Sequence, residues 1–132
     1  MYLLDANTCI LAISKRFKVL VKNLRGQNPA DVFLSAIVKA EILFGARRSG
    51  KAAESLEVLT KLPQPFGSVP FDDICAEHYG LIRAELAVLG HPIGPNDLLI
   101  AATARAHDMT LVTNNTREFS RVPALRTVDW TT

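Results

Sequence analysis

Short apolar runs alternate with longer amphipathic stretches along the whole chain. The apolar runs predict strands at residues 2–4, 32–34, 67–71 and 109–113 and around Val128. The amphipathic stretches predict helices at residues 9–13, 35–47, 52–62, 73–89 and 98–107. Short buried strands that alternate with helices are typical of a parallel sheet covered on both faces, so the pattern predicts an α/β fold. Pro70 lacks the amide hydrogen that a central strand needs, which favours an edge position for the third run.

Polar side chains near the predicted helix starts are candidate N-caps. Asn7 and Thr8 precede the apolar stretch of the first helix, and Ser35 precedes the second. Asn96 or Asp97 is the candidate cap of the helix at 98–107. These residues predict where each helix follows its strand.

Length and composition indicate one folded domain that spans residues 1–132. With 132 residues, 48% of them hydrophobic, the chain can bury a core of its own. It has no signal-peptide pattern and no apolar run long enough to span a bilayer, so we expect a cytoplasmic protein. Cys9 and Cys75 lack the spacing of metal ligands and are interpreted as buried, reduced thiols. The three histidines are interpreted as surface or packing residues.

The formal charge of +2 is too small to indicate nucleic-acid binding by itself. Basic residues are nevertheless concentrated in the first 62 positions, where ten Lys and Arg face five Asp and Glu. Such a distribution could steer a polyanion toward an acidic centre. Charge alone favours an ordinary solvated surface.

Three acidic residues occupy positions where elements of the predicted sheet begin or end. Asp5 follows the first strand, Glu41 lies on an otherwise apolar helix, and Asp97 stands at a helix start. In open α/β sheets the ligand crevice lies outside the carboxyl ends of the strands, where Asn114 and Asn115 also belong. Each acid alone has an ordinary explanation as a cap or a surface residue. Together the three can converge on one rim.

Converging carboxylates repel one another, and a divalent cation relieves that repulsion. Mg²⁺ and Mn²⁺ prefer oxygen ligands. A cation held in this way lowers the pKa of a bound water and stabilises negative charge on a phosphate. No phosphate-binding glycine loop, metalloprotease or nucleophilic-serine pattern competes with this interpretation. The acids therefore favour phosphodiester hydrolysis.

Four segments in order resemble the motifs of PIN-domain proteins. They read LLDANTCI at residues 3–10, AEILFGA at 40–46, PNDLLIAA at 95–102 and LVTNNTREF at 111–119. A further segment, IRAEL at 82–86, resembles a stretch found in the VapC toxins of bacterial toxin–antitoxin modules. The resemblance covers essentially the whole chain.

What the resemblance implies is a compact three-layer α/β/α sandwich and RNA cleavage that depends on Mg²⁺ or Mn²⁺. It maps the metal-binding and catalytic acids onto Asp5, Glu41 and Asp97, with Asn115 as a further catalytic residue. It also implies a homodimer, inhibition by a VapB-like antitoxin in a toxin–antitoxin hetero-oligomer, and contact with DNA only through that antitoxin. The anticodon stem-loop of initiator tRNA is the RNA target that several relatives suggest.

Three further residues are candidates for binding the substrate. Asn7 and Asn114 follow strands on the expected rim, and Arg83 could position or neutralise a phosphate.

The chain departs from the family pattern at two positions. Asn115 stands where many relatives carry Asp, so a neutral amide replaces the fourth acid and Glu118 is the nearest remaining carboxylate. Ala6 stands where relatives usually carry Thr or Ser and removes a hydroxyl next to the site. Lowered rather than abolished activity is the expected consequence, because the three acids remain.

Two other functions are compatible with the residues. A metal-dependent phosphatase shares an Asp after the first strand, although a nucleophilic-Asp phosphatase would carry a second Asp where this chain has Asn7. A PIN-like scaffold that only binds RNA or a partner protein is the other alternative, and it is kept open by Ala6 and Asn115.

Overall fold

A computed structural model describes residues 1–14, 17–48 and 66–132 of the chain. Its strands are β1 (Tyr2–Leu4), β2 (Val32–Ser35), β3 (Gly67–Val69), β4 (Thr110–Val112) and β5 (Thr127–Val128). Its helices are α1 (Ala6–Ser14), α2 (Lys18–Arg25), α3 (Ala36–Arg48), α4 (Asp73–Leu89), α5 (Pro95–Ala106) and α6 (Thr116–Phe119), with a 3₁₀ turn at Pro29–Asp31. The helix predicted at 52–62 lies outside the described residues.

The five strands form one sheet in the order β3-β2-β1-β4-β5. Every neighbouring pair is parallel, with Leu3 of β1 aligned to Phe33 of β2 on one side and Leu111 of β4 on the other. The predicted α/β/α architecture with a small central parallel sheet is confirmed, and β3 is an edge strand as Pro70 indicated. Because all strands run the same way, their carboxyl ends share one rim.

The core lies around the three central strands, whose side chains are buried on both faces of the sheet. Leu3, Leu4, Val32, Leu111 and Val112 have no measurable exposure. Continuous apolar runs rather than alternating ones are what a sheet covered on both faces requires. None of the helices in the described part of the chain is long and apolar enough to cross a membrane.

Two of the predicted helix starts were wrong. Asp5 itself caps α1, since its Oδ1 accepts the backbone N–H of Thr8 at 2.7 Å, and the helix already begins at Ala6. Helix α5 begins at Pro95 after Gly94, so Asp97 lies inside its first turn instead of capping it. A proline whose N–H would be unpaired anyway starts a helix well, which moves the boundary upstream of Asn96.

The cap at Ser35 is confirmed, and two helices, α2 and α6, were not predicted. Ser35 Oγ accepts the backbone N–H of Val38 at 3.1 Å, at the start of α3. Helix α2 buries Leu20 and Leu24, which are four residues apart and lie on one face. Between them, Val21 and Asn23 are half-buried and Lys22 is exposed, and so short a stretch gives a weak periodic signal.

The edge strand β3 depends on a glycine that lies against an aromatic ring. A Cβ built on Gly67 would lie 2.6 Å from both Cδ1 and Cε1 of Phe33 on β2. We expect Gly67→Ala to displace that ring and lower the free energy of unfolding by about 1–3 kcal/mol. Chemical denaturation measures the loss, and Gly45→Ala is the control, because a Cβ there would meet nothing within 4 Å. Equal stabilities of the two variants would contradict the contact.

Candidate active site

Asp5 is fixed at the rim by the end of β1 and the start of α1. Its backbone N–H donates to Val112 O at 3.1 Å, which extends the pairing of β1 with β4 by one residue. Thr8 Oγ1 donates to the same carbonyl at 3.1 Å. The Asp5 side chain is only 4% exposed, and Oδ1 is occupied by the Thr8 amide. A carboxylate this deeply buried at a strand end is costly unless something balances its charge.

A hydrogen bond between two asparagines joins the neighbouring strand ends. Asn7 Nδ2 donates to Asn114 Oδ1 at 2.9 Å, across 107 positions of sequence. Both side chains are exposed at the rim, as their sequence positions predict. The bond holds the first turn of α1 against the loop that follows β4.

Glu118 is brought next to Asp97 by the loop that precedes α5. Glu118 Oε1 accepts the backbone N–H of Gly94 at 2.8 Å, and its Oε2 accepts Asn115 Nδ2 at 2.6 Å. These two hydrogen bonds lower the pKa of the Glu118 carboxyl, the Gly94 amide having the larger effect. Glu118 is therefore held as a charged acceptor beside Asp97.

The electrostatics of Asp97 show that the acids share one site. Its pKa is raised to about 7, first by loss of solvent and then by the neighbouring carboxylates of Glu118, Glu41 and Asp5. A helix N-terminus acts in the opposite direction, because it favours the charged form of an acid in the first turn of α5. Burial and the crowding of negative charge together therefore outweigh the helix dipole. The structure thus places Asp5, Glu41 and Asp97 near one another.

None of the three predicted acids is paired with a basic side chain inside the described ranges. The ion pairs found there join other residues, on α4, α5 and the loops. Glu41 is half-buried on α3 and makes no side-chain hydrogen bond with another described residue. Oxygen donors that crowd together without a counter-charge suit a hard divalent cation. The residues present therefore suit a metal ion that takes oxygen ligands.

Arg83 lies in a groove that contains none of these acids. The groove has a volume of about 280 Å³ and lies between α4 and the start of α5, where Pro95 and Leu98 also line it. Arg83 Nη1 donates to Tyr79 Oη at 2.9 Å, and its guanidinium carbon lies 5.9 Å from the centre of that ring. The structure does not bring Arg83 into contact with the acids.

Sequence reasoning gave Glu118 too little weight. The amide of Gly94 and the side chain of Asn115 fix it beside Asp97, and the contact with Gly94 does not follow from local sequence pattern. The available signal was the spacing of Asn115 and Glu118, which places both on one turn at the start of α6. The acidic cluster therefore has a fourth carboxylate, which Glu118 supplies instead of the residue at position 115.

Comparison with known proteins assigns this fold and site to a class. A family model described as the PIN domain matches residues 2–125. The chain belongs to the PIN-domain family.

Similarity to individual proteins extends over nearly the full length. A tRNA(fMet)-specific endonuclease VapC from Shigella flexneri is 38% identical over 129 residues, which cover 98% of this chain and 97% of that protein. A ribonuclease VapC2 from Rickettsia felis is 38% identical over 131 residues, with 98% and 97% coverage. The crystal structure of VapBC2 from Rickettsia felis bound to a promoter DNA fragment superimposes with a TM-score of 0.88 at 36% identity and covers 98% of both chains. The protein is a ribonuclease of the VapC type.

Proposed function

We propose that this ribonuclease acts through the acidic cluster at the sheet rim and requires a divalent cation there. The raised pKa of Asp97 supports this proposal most directly, because the carboxylates of Glu118, Glu41 and Asp5 contribute to it in addition to the loss of solvent. Asp5, Glu41 and Asp97 would hold the cation. A divalent cation bound there would lower the pKa of a coordinated water and offset charge on the phosphate that is attacked.

The remaining polar residues of the rim would position the substrate. Asn114 Oδ1 accepts from Asn7, and its Nδ2 has no partner among the described residues, so it can donate to a phosphate oxygen. Asn115 Nδ2 donates to Glu118, so its role is to orient that carboxylate. Arg83, exposed in the adjacent groove, would contact the RNA backbone outside the reacting centre.

A transfer RNA of the tRNA(fMet) class is the substrate that we propose. Relatives from Shigella flexneri and Salmonella typhimurium that bear this specificity in their names are 38% and 36% identical to the chain over 129 residues. The anticodon stem-loop offers unstacked bases and an accessible backbone, which is the form of RNA that proteins recognise most readily. Such a substrate places the enzyme in the cytoplasm.

We further propose that the chain pairs with a VapB-like antitoxin and forms homodimers within that complex. The support comes from the solved relatives from Rickettsia felis and Salmonella typhimurium, both of which are VapBC complexes bound to DNA. DNA contact by this chain would then be indirect, through the antitoxin.

Cleavage of a tRNA(fMet) transcript in Mg²⁺ is the expected result for the purified chain, with little cleavage of an elongator methionine tRNA. EDTA should stop the reaction, and Mg²⁺ added in excess should restore it, because the acids need a counter-charge. Gel analysis and sequencing of the new ends measure both effects. Undiminished cleavage in EDTA would contradict the metal requirement.

The two alternative functions give different outcomes in the same assay. A scaffold would retain the tRNA in a binding assay without releasing fragments. A phosphatase would hydrolyse p-nitrophenyl phosphate and leave the RNA intact. The full-length similarity to named ribonucleases favours cleavage over both.

A further inference from the structure

A second cluster of metal-ligating side chains lies at the other end of α5. Asp72 precedes α4, Cys75 lies in the first turn of that helix, and His107 follows the last residue of α5. Asp97 and His107 are ten positions apart, so at 1.5 Å per residue the two clusters are separated by about 15 Å along the helix. The second cluster is therefore distinct from the acidic one.

The three donor atoms are close together, and one of them is unsatisfied. A carboxylate oxygen of Asp72, Cys75 Sγ and a ring nitrogen of His107 all lie within 4.8 Å of one another. His107 Nε2 is shielded from solvent and has no hydrogen-bond partner in the described part of the chain. It lies 3.4 Å from Asp72 Oδ2, longer than a normal hydrogen bond between nitrogen and oxygen. His107 Nε2 thus lies in the cluster without a hydrogen-bond partner among the described residues.

The distance between the donor atoms of Asp72 and His107 matches the distance between two ligand atoms of a tetrahedral zinc ion. Zinc bonds of about 2.0–2.3 Å at tetrahedral angles separate neighbouring ligand atoms by about 3.3–3.6 Å. The pair formed by Asp72 Oδ2 and His107 Nε2 already has this separation. Cys75 Sγ lies within 4.8 Å of both atoms and needs to move closer to them to complete the third corner.

We propose that Asp72, Cys75 and His107 bind a zinc ion, with water as the fourth ligand. Thiolate and imidazole donors select zinc over magnesium, which prefers an all-oxygen set. The site is therefore chemically different from the acidic cluster.

The local contacts prepare these side chains for binding. Asp72 Oδ1 accepts the backbone N–H of Cys75 at 3.1 Å, which leaves Oδ2 directed at His107. The side chains of His107 and Asp72 are 28% and 38% exposed, so an ion can enter from solvent. Binding of the cation to Cys75 displaces the thiol proton, which leaves to water.

Bound zinc would tie the start of α4 to the end of α5. These two helices make the most extensive contact between helices in the described part of the chain. Linear spacing could not reveal the site, because its ligands come from separate elements and Cys75 and His107 are 32 positions apart in the sequence. The expected consequence is zinc-dependent stabilisation of the helix pair.

Cobalt substitution of the full-length, chelator-treated protein tests this proposal. Co²⁺ should produce the near-ultraviolet sulfur-to-cobalt absorption band, and Zn²⁺ should displace it at one equivalent. Cys75→Ser and His107→Gln should each weaken Zn²⁺ binding by at least about tenfold, and Cys75→Ser should remove the band. Competitive titration followed by absorption, together with calorimetry, measures both effects.

Two control variants separate this site from the rest of the molecule. Cys9→Ala removes the other thiol, and Asp97→Asn disrupts the acidic cluster, so both should retain the band and the Zn²⁺ affinity. If Cys75→Ser fails to fold, His107→Gln decides the question, because its side chain is partly exposed. Absence of the band in the parent protein, its persistence in Cys75→Ser, or a loss of affinity below tenfold in His107→Gln would overturn the proposal.

Discussion

Asp5→Asn is expected to lower RNA cleavage by about 10³-fold while the protein stays folded. An amide oxygen can still accept the Thr8 N–H that now lies 2.7 Å from Oδ1, so α1 keeps its cap. The negative charge is lost, and with it several kcal/mol of the stabilisation that a bound cation gives the transition state. Single-turnover cleavage rates in saturating Mg²⁺ measure the loss, with thermal unfolding as the check on the fold.

Asp5→Ala is the matched control, because it removes the charge and the cap together. It should be as inactive as Asp5→Asn and also less stable by about 0.5–2 kcal/mol, the usual cost of a lost N-cap. Cleavage by Asp5→Asn at the parent rate would exclude this carboxylate from the chemistry.

Asp97→Asn is expected to abolish cleavage and yet to raise the unfolding temperature of the metal-free protein at pH 8. In the folded protein the Asp97 pKa is about 7, against an ordinary value of 3.8. The folded state therefore holds a proton that the unfolded chain releases, and the parent protein loses stability as pH rises from about 4 to 7. An asparagine side chain cannot ionise, so the variant does not lose stability over this pH range. We expect a gain of roughly 2–5 °C, since solvent screens part of the repulsion.

Unfolding scans at pH 4 and pH 8, with and without Mg²⁺, test this expectation. The advantage of Asp97→Asn should be small at pH 4 and fully developed at pH 8. Mg²⁺ should raise the unfolding temperature of the parent at pH 8 far more than that of the variant. The same advantage at both pH values would show that charge crowding is not its cause.

The sheet could be predicted because its strands are short, apolar and separated by clear helical stretches. Residues such as Leu3, Leu111 and Val112 must be apolar on both faces of a covered sheet, and that requirement is visible in the sequence. The shared direction of the strands then predicts that Asp5 and Asn114 lie on one rim.

The contacts that position Asp5 and Glu118 at the sheet rim depend on tertiary structure. The pattern proposed Asn7 and Thr8 as caps, but Asp5 takes that role because its backbone also pairs with Val112. Glu118 joins the cluster through the Gly94 amide, 24 positions away. The Glu118 contact has no short-range sequence signature, because it forms when separate elements pack together. The pairing with Val112 that selects Asp5 over Asn7 and Thr8 as the cap is likewise a tertiary contact.

Asp5 caps α1 with the same carboxylate that we propose to act in catalysis, and this has a consequence for how the sequence can diverge. A descendant that no longer cleaves RNA still needs an acceptor at position 5 to begin α1 beside β4. Retention of a polar residue there therefore says nothing about activity. Only the exchange of Asp for a neutral acceptor such as Asn would distinguish an inactive lineage from an active one.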